Sequence, residues 1–123
     1  MATVLIVDDA KIIRKGIRNI MENLGHTIIA EADNGFDGIE KYKECQPDIV
    51  TMDITMPNVN GIDSGVDAVK HIIDFDEDAN IIMVTAHGEQ DKVMKSIENG
   101  ALGYVLKPIT GDKLRTAIKK LGF

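Results

Sequence analysis

Apolar residues along this chain fall into two alternating spacings, short unbroken runs and stripes of three and four, which read as strand and helix in turn. Residues 3–7, Thr-Val-Leu-Ile-Val, are apolar on both faces and predict a strand inside a parallel sheet covered by helices. The run stops at Asp8-Asp9. From Lys11 the period changes: Ile13, Ile17, Ile20, Met21 and Leu24 share one helical stripe, and Gly25 closes it. Residues 27–32 predict a second, shorter strand, Asn34-Gly35 a turn, and Ile39 with Tyr42 a brief helix that ends before Pro47. Ile49 to Met52 predict the third strand. Ile62, Val66, Val69 and Ile73 then predict a third helix, its start made irregular by Gly61, Ser64 and Gly65. Residues 80–85 predict a fourth strand, and Val93, Met94 and Ile97 the inner face of a fourth helix closed by Asn99-Gly100. Gly103 to Leu106 predict the fifth strand, and Leu114, Ala117, Ile118 and Leu121 the last amphipathic helix.

Strands alternating with helices throughout imply an α/β fold: a doubly wound, five-stranded parallel sheet with right-handed crossovers and helices on both faces. In such sheets ligands bind beyond the carboxyl ends of the strands, where the strand order reverses. Four of the predicted strands end in polar groups: Asp8 and Asp9 after the first, Asp53 after the third, Thr85 on the fourth and Lys107 after the fifth. Asp53 draws attention first, because a carboxylate delivered by an apolar run needs a cation, a hydrogen-bond shell or a chemical task.

Composition narrows the classes. A net charge of -6 argues against nucleic acid as the main partner, since phosphate backbones are bound by cationic surfaces. One cysteine, Cys45, cannot form an internal disulfide and has no cluster of metal-type ligands around it, which fits a reducing compartment. No basic leader precedes an apolar stretch, and no aliphatic run approaches a membrane span. The expectation is a soluble, cytoplasmic, monomeric protein with one domain over residues 1–123, and no membrane partner. Cys45, at a helix end, is expected to be a small packing residue, and the run Asp74, Asp76, Glu77, Asp78 a solvated loop.

Convergence of these groups has a chemical consequence. Carboxylates ~5 Å apart at an effective dielectric of ~20 repel by roughly 3 kcal/mol per ionised pair. A divalent cation relieves the conflict, and because the donors are all hard oxygens the natural ion is magnesium, which keeps waters and accepts a phosphate oxygen. Lys107 then supplies a point charge and Thr85 a hydroxyl to phosphoryl oxygens, and a carboxylate serves as nucleophile by forming an acyl phosphate. Each residue alone has an ordinary reading: Asp8-Asp9 as a helix cap, Thr85 as a strand-end residue, Lys107 as a surface cation, Tyr104 as a strand aromatic. Their joint placement at four strand ends favours the chemical one. His26, His71 and His87 lie on different elements and read as ordinary residues, with His87 alone near the site.

Together VLIVDD, DIVTMDITMPNVNG, VTA and YVLKP resemble the receiver domain of two-component response regulators, over the whole chain. Residues 41–57, KYKECQPDIVTMDITMP, look especially like the stand-alone CheY proteins of chemotaxis. The resemblance implies the flavodoxin-like strand order 2-1-3-4-5. It implies that Asp53 is the phosphoacceptor, taking a phosphoryl group from a phosphohistidine on a sensor histidine kinase. It further implies that Asp9, Asp53 and the backbone carbonyl of Thr55 hold Mg2+, with Asp8 acting through a bound water, and that Lys107 contacts the phosphoryl group, its bond to Pro108 being cis. Thr85 and Tyr104 are then the switch residues, altering the face formed by helix 4, strand 5 and helix 5. The activity is self-catalysed phosphotransfer rather than enzymatic turnover. With no output domain after Phe123, the implied partner is a flagellar motor switch or adaptor protein, with a phosphatase as a further one.

This chain departs from the pattern at residues 63–66, Asp-Ser-Gly-Val, about four residues more than relatives carry; at ~3.6 residues per turn they are expected to lengthen or bulge the start of helix 3. The resemblance also implies that Thr55 and His87, two residues beyond Asp53 and Thr85, frame the water that would attack an acyl phosphate. Three other readings compete. A haloacid-dehalogenase-like phosphatase wants an acid where Thr55 stands and a cap domain; a flavodoxin-type carrier wants a hydroxyl-rich loop where Asp8-Asp9 stand; a sporulation-type phosphorelay intermediate stays within the same family.

Overall fold

The predicted alternation is realised: β1 (Thr3–Val7), α1 (Lys11–Asn23), β2 (Thr27–Ala32), α2 (Gly35–Cys45), β3 (Ile49–Asp53), α3 (Gly65–Phe75), β4 (Ile81–Thr85), α4 (Gln90–Glu98), β5 (Gly103–Leu106) and α5 (Gly111–Lys120). The computed structural model describes residues 1–123. All strand pairs are parallel, in the order β2-β1-β3-β4-β5. Strand periodicity splits the core in two. Leu5, Val7, Val50, Met52, Ile81 and Met83 face α2, α3 and α4 through Ile39, Tyr42, Val69, Ile72 and Val93. Val4, Ile6, Ile49, Ile82, Val84 and Val105 face α1 and α5 through Ile17, Met21, Leu114 and Ile118. The three inner strands are therefore buried on both faces and largely apolar, with Thr51 of β3 a buried exception whose Oγ1 has no hydrogen-bond partner.

Several local expectations change. Asn34 does not sit in a turn: its side chain accepts from the Asp37 backbone N–H at 2.9 Å and caps α2, which begins at Gly35. Met94 and Ile97 do not form the inner face of α4; they are 62% and 39% exposed, and the helix buries Val93 and Ser96 instead. Serine serves there because its hydroxyl donates back to the Lys92 carbonyl at 2.9 Å and needs no other partner. Cys45 is exposed rather than packed. In the acidic run Asp74 belongs to α3, and Asp76 caps that helix while accepting the Tyr42 hydroxyl at 2.7 Å, so only part of the run is a solvated loop.

The segment before α3 is the largest departure. Ile62 lies outside the helix, which begins at Gly65, so that of residues 63–66 Asp63 and Ser64 precede α3 and Gly65 and Val66 open it. Val59 and Ile62 pair as a two-residue hairpin, with N–H···O distances of 3.2 and 3.0 Å in the two directions. Asn60 (φ 52°) and Gly61 (φ 84°) occupy its tip, the Asn-Gly chemistry that such turns favour. Ser64 then caps α3, accepting from Asp67 N–H at 3.4 Å. Gly65 has a separate reason: a Cβ there would lie 2.0 Å from the Asp53 carbonyl oxygen. The three irregular residues are a hairpin tip, a cap and a close approach.

Strand register brings the carboxyl ends level. Val7 pairs Met52, Asp53 pairs Val84 and Thr85 pairs Leu106. Hydrogen bonds continue past the strands, from Asp8 N–H to the Ala32 carbonyl (3.0 Å) and from Lys107 N–H to the Thr85 carbonyl (2.7 Å). The backbones of Asp8 and Lys107 are thereby anchored to neighbouring strands. The Lys107–Pro108 peptide is cis.

Candidate functional site

At the carboxyl edge of the sheet, Asp8, Asp9 and Asp53 each offer a carboxylate oxygen within 4.8 Å of the others. Asp53 and Asp8 are buried and Asp9 is exposed. Asp8 is no helix cap, since α1 is preceded by Ala10 with no side-chain cap. Its Oδ1 instead accepts the Ala10 N–H at 2.9 Å, which turns the side chain inward. Its Oδ2 is buried without any hydrogen-bond partner. Lys107 reaches across from β5, with Nζ 3.2 Å from Asp53 Oδ1 and 3.9 Å from Asp8 Oδ2. The second distance is too long for a hydrogen bond. One ammonium thus serves two buried carboxylates and satisfies one.

The electrostatics follow. Burial, then the neighbouring charge of Asp8, pushes the Asp53 carboxyl up to about 7, against a partial counter-effect from Lys107. Burial also raises Asp8. Burial alone would lower Lys107, but the carboxylates of Asp53 and Asp8 outweigh it and hold the ammonium above its ordinary range. The pocket is short of positive charge. An orphaned oxygen on Asp8 and an all-oxygen donor set fit a hard divalent cation.

Thr85 is buried at the end of β4 and Thr55 is exposed on the loop after β3. Sequence reasoning does not single out the residue that joins them. The Glu89 carboxylate accepts the Thr55 hydroxyl at 2.6 Å, the Thr85 hydroxyl at 3.1 Å and the Ala86 N–H at 2.7 Å. These donors outweigh its partial burial and lower its pKa. One signal is available: Glu89 stands where Ser, Thr, Asp or Asn is preferred as the N-cap of α4, so its side chain is free for another task. Arg14 is a second residue that the pattern does not flag. Its Nη1 donates to the Asp8 carbonyl at 2.6 Å and its Nε pairs with Glu31 at 3.1 Å, which fixes the loop after β1. Tyr104 is 58% exposed on β5. It borders a cavity of about 250 Å³ that Thr85, Ala86, Val93, Met94 and Leu106 also line. His87 lines the same cavity. His26 is structural, its Nδ1 accepting the Ala2 N–H at 3.0 Å.

The structure therefore brings Asp8, Asp9, Asp53, Thr85 and Lys107 to one edge, with Thr55 beside them and Tyr104 one cavity away. Residues 4–119 match the family model of the response regulator receiver domain. The chain belongs to that family. The receiver is 44% identical to the chemotaxis protein CheY of Thermotoga maritima over 118 residues, covering 96% of this chain and 95% of the relative. It is 45% identical to the chemotaxis protein CheY of Bacillus subtilis over 117 residues, covering 95% and 94%. Among solved structures it resembles a chain of the CheX-CheY-BeF3-Mg+2 complex from Borrelia burgdorferi, with a TM-score of 0.90, 32% identity, and 98% and 89% of the two chains covered. The order 2-1-3-4-5 implied by the motifs is the receiver order observed here. No helix of this receiver is long and apolar enough to cross a membrane.

Proposed function

We propose that this receiver is the phosphoacceptor of a two-component chemotaxis system and that Asp53 carries the phosphoryl group. The observation that carries the proposal is the buried Asp53 carboxylate held 3.2 Å from Lys107 beside two further acids, the charge arrangement of a site awaiting a cation and a phosphoryl group. Asp53 Oδ attacks phosphorus in line; the new O–P bond forms as the P–N bond of the donor phosphohistidine breaks, and the imidazole leaves with the bonding pair. With acetyl phosphate the P–O bond breaks instead and acetate leaves. Lys107 follows the charge as it spreads onto the phosphoryl oxygens, and the Thr85 hydroxyl donates to one of them. Asp8, Asp9, Asp53 and the Thr55 carbonyl are the residues that would hold Mg2+. When bound, the ion neutralises the clustered carboxylates, keeps Asp53 ionised and offsets the charge of the incoming phosphoryl oxygens. The acceptor is the chain's own side chain, so the reaction is a self-modification followed by hydrolysis, not turnover of a substrate.

A phosphoryl group adds about -1.5 to -2 charge to this edge and biases the neighbouring face. We assign Tyr104 as the reporter, rotating from its exposed position toward the cavity behind Thr85 as that hydroxyl is drawn inward. Met94, Ile97, Leu102 and Tyr104 are exposed apolar groups on and around α4 and β5, a surface suited to a partner's apolar segment. Homology to CheY proteins at 44% and 45% identity supports a sensor kinase as donor and a flagellar motor switch or adaptor as target, in the cytoplasm. Incubation with acetyl phosphate and magnesium should add one phosphoryl mass, stable in acid and labile to hydroxylamine. Uptake by Asp53→Asn at the wild-type level would refute the assignment.

A further inference from the structure

Thr85 has one O–H and can donate it once. In this structure the closer of its two acceptors is Glu89 Oε1 at 3.1 Å; the other, the carbonyl of Ala86, is at 3.3 Å. The receiver reaction asks for the same hydrogen on a phosphoryl oxygen. Two acceptors, one of them absent in the resting protein, therefore compete for a single donor.

Glu89 is placed to be more than a passive acceptor. It is the residue before α4, yet makes no side-chain cap to that helix. Its Oε1 is held by Ala86 N–H as well as Thr85, and its Oε2 takes the Thr55 hydroxyl at 2.6 Å. One carboxylate thus ties the start of α4 to the loop after β3 and to the end of β4.

We propose that Glu89 is a resting-state latch: its carboxylate holds the Thr85 hydroxyl and the start of α4 against the Thr55 loop, and a phosphoryl group on Asp53 must displace it. The inference rests on Asp53 being the acceptor. Its consequence is a threshold. The hydroxyl leaves a charged acceptor for another charged acceptor, so the net gain from phosphorylation is smaller than a new hydrogen bond would give. Loss of that donor, together with repulsion between the phosphoryl charge and the Glu89 carboxylate, loosens the tie on α4. Glu89 is a positioning residue: it acts through Thr85 and touches no reacting atom.

The test pairs two backgrounds. Affinity for beryllium trifluoride with magnesium, the stable phosphoryl mimic, is measured by titration for wild type, Glu89→Ala, Thr85→Val and the double variant. Removing Glu89 should tighten binding, and the gain should be larger where Thr85 is intact than in the Thr85→Val background by about tenfold, the worth of one charge-assisted hydrogen bond. An equal gain in both backgrounds would reduce Glu89 to a repelling charge and overturn the latch; no gain, or a loss, would overturn it as well. A second readout uses neither ion nor anion. Three-bond couplings should show one Thr85 χ1 rotamer in the wild type and averaging in Glu89→Ala or Glu89→Asp, and an unchanged single rotamer in both variants refutes the latch. Failure of wild type to bind the mimic at all would count against Asp53 as acceptor, and the rotamer measurement still decides the latch.

Discussion

Asp53 is buried, faces Asp8 and has only Lys107 to offset its charge, so its proton is held to about pH 7 in the folded, ion-free protein. In an unfolded chain the same carboxyl titrates near ~4. The folded state therefore binds more protons between these values, and stability falls as pH rises from about 4 through about 7, then levels off. A displacement of this size corresponds to a few kcal/mol, at ~1.4 kcal/mol per pH unit. Asp53→Asn should accordingly melt above wild type at pH 8 in chelator, with the gap closing toward pH 4, as followed by circular dichroism. A wild type more stable than the variant at pH 8 would contradict the burial argument. Asp8, Asp53, Thr85 and Lys107 are legible in the sequence because strand ends can be read from runs of apolar residues, and topology then places those ends together. Glu89 is legible only as an unusual residue at the start of α4; its role is not, because an acid before a helix looks solvated until the hydroxyls that donate to it are known.

Helices and strands are legible where one period persists, and misread where a partner outside the window decides. Met94 and Ile97 follow a helical stripe with Val93, yet α4 turns Val93 and Ser96 inward and leaves the two larger residues on the surface. Nothing within nine residues reveals which side of so short a helix meets the sheet. The stretch before α3 shows the same limit, because Ile62 keeps helical spacing while belonging to a hairpin. Ile62 is 8% exposed and packs on Gly35, where a Cβ would come within 2.7 Å of Ile62 Cγ2. Ile62→Ala should therefore cost ~2–4 kcal/mol in denaturant unfolding, the range for a buried aliphatic truncation, whereas an exposed loop residue would cost almost nothing. Gly65→Ala should cost at least ~2 kcal/mol and slow phosphorylation from acetyl phosphate, since the added methyl would press on the Asp53 carbonyl that ends β3. Wild-type stability in that variant would mean the start of α3 can shift freely.

Across the molecule, the architecture places three acids, a hydroxyl and an ammonium at one edge through register alone, with Val7–Met52, Asp53–Val84 and Thr85–Leu106 pairing to level the strand ends. The opposite edge is pinned by Asp48, whose carboxylate accepts Thr3 N–H at 2.8 Å and whose carbonyl accepts the Asn80 amide at 3.0 Å. One end of the sheet is fixed by satisfied bonds, and the other retains an unsatisfied carboxylate oxygen. If magnesium binds among those acids, it stabilises the fold by mass action. Titration calorimetry should register binding in wild type and its loss in Asp9→Ala, and an unchanged affinity would remove Asp9 from the site. Every role assigned at this edge depends on where the phosphoryl group goes. Borohydride reduction of protein treated with acetyl phosphate and magnesium, followed by peptide sequencing in the mass spectrometer, should convert Asp53 alone to homoserine and convert nothing when magnesium is chelated; homoserine at any other position, or none at Asp53, would contradict those roles.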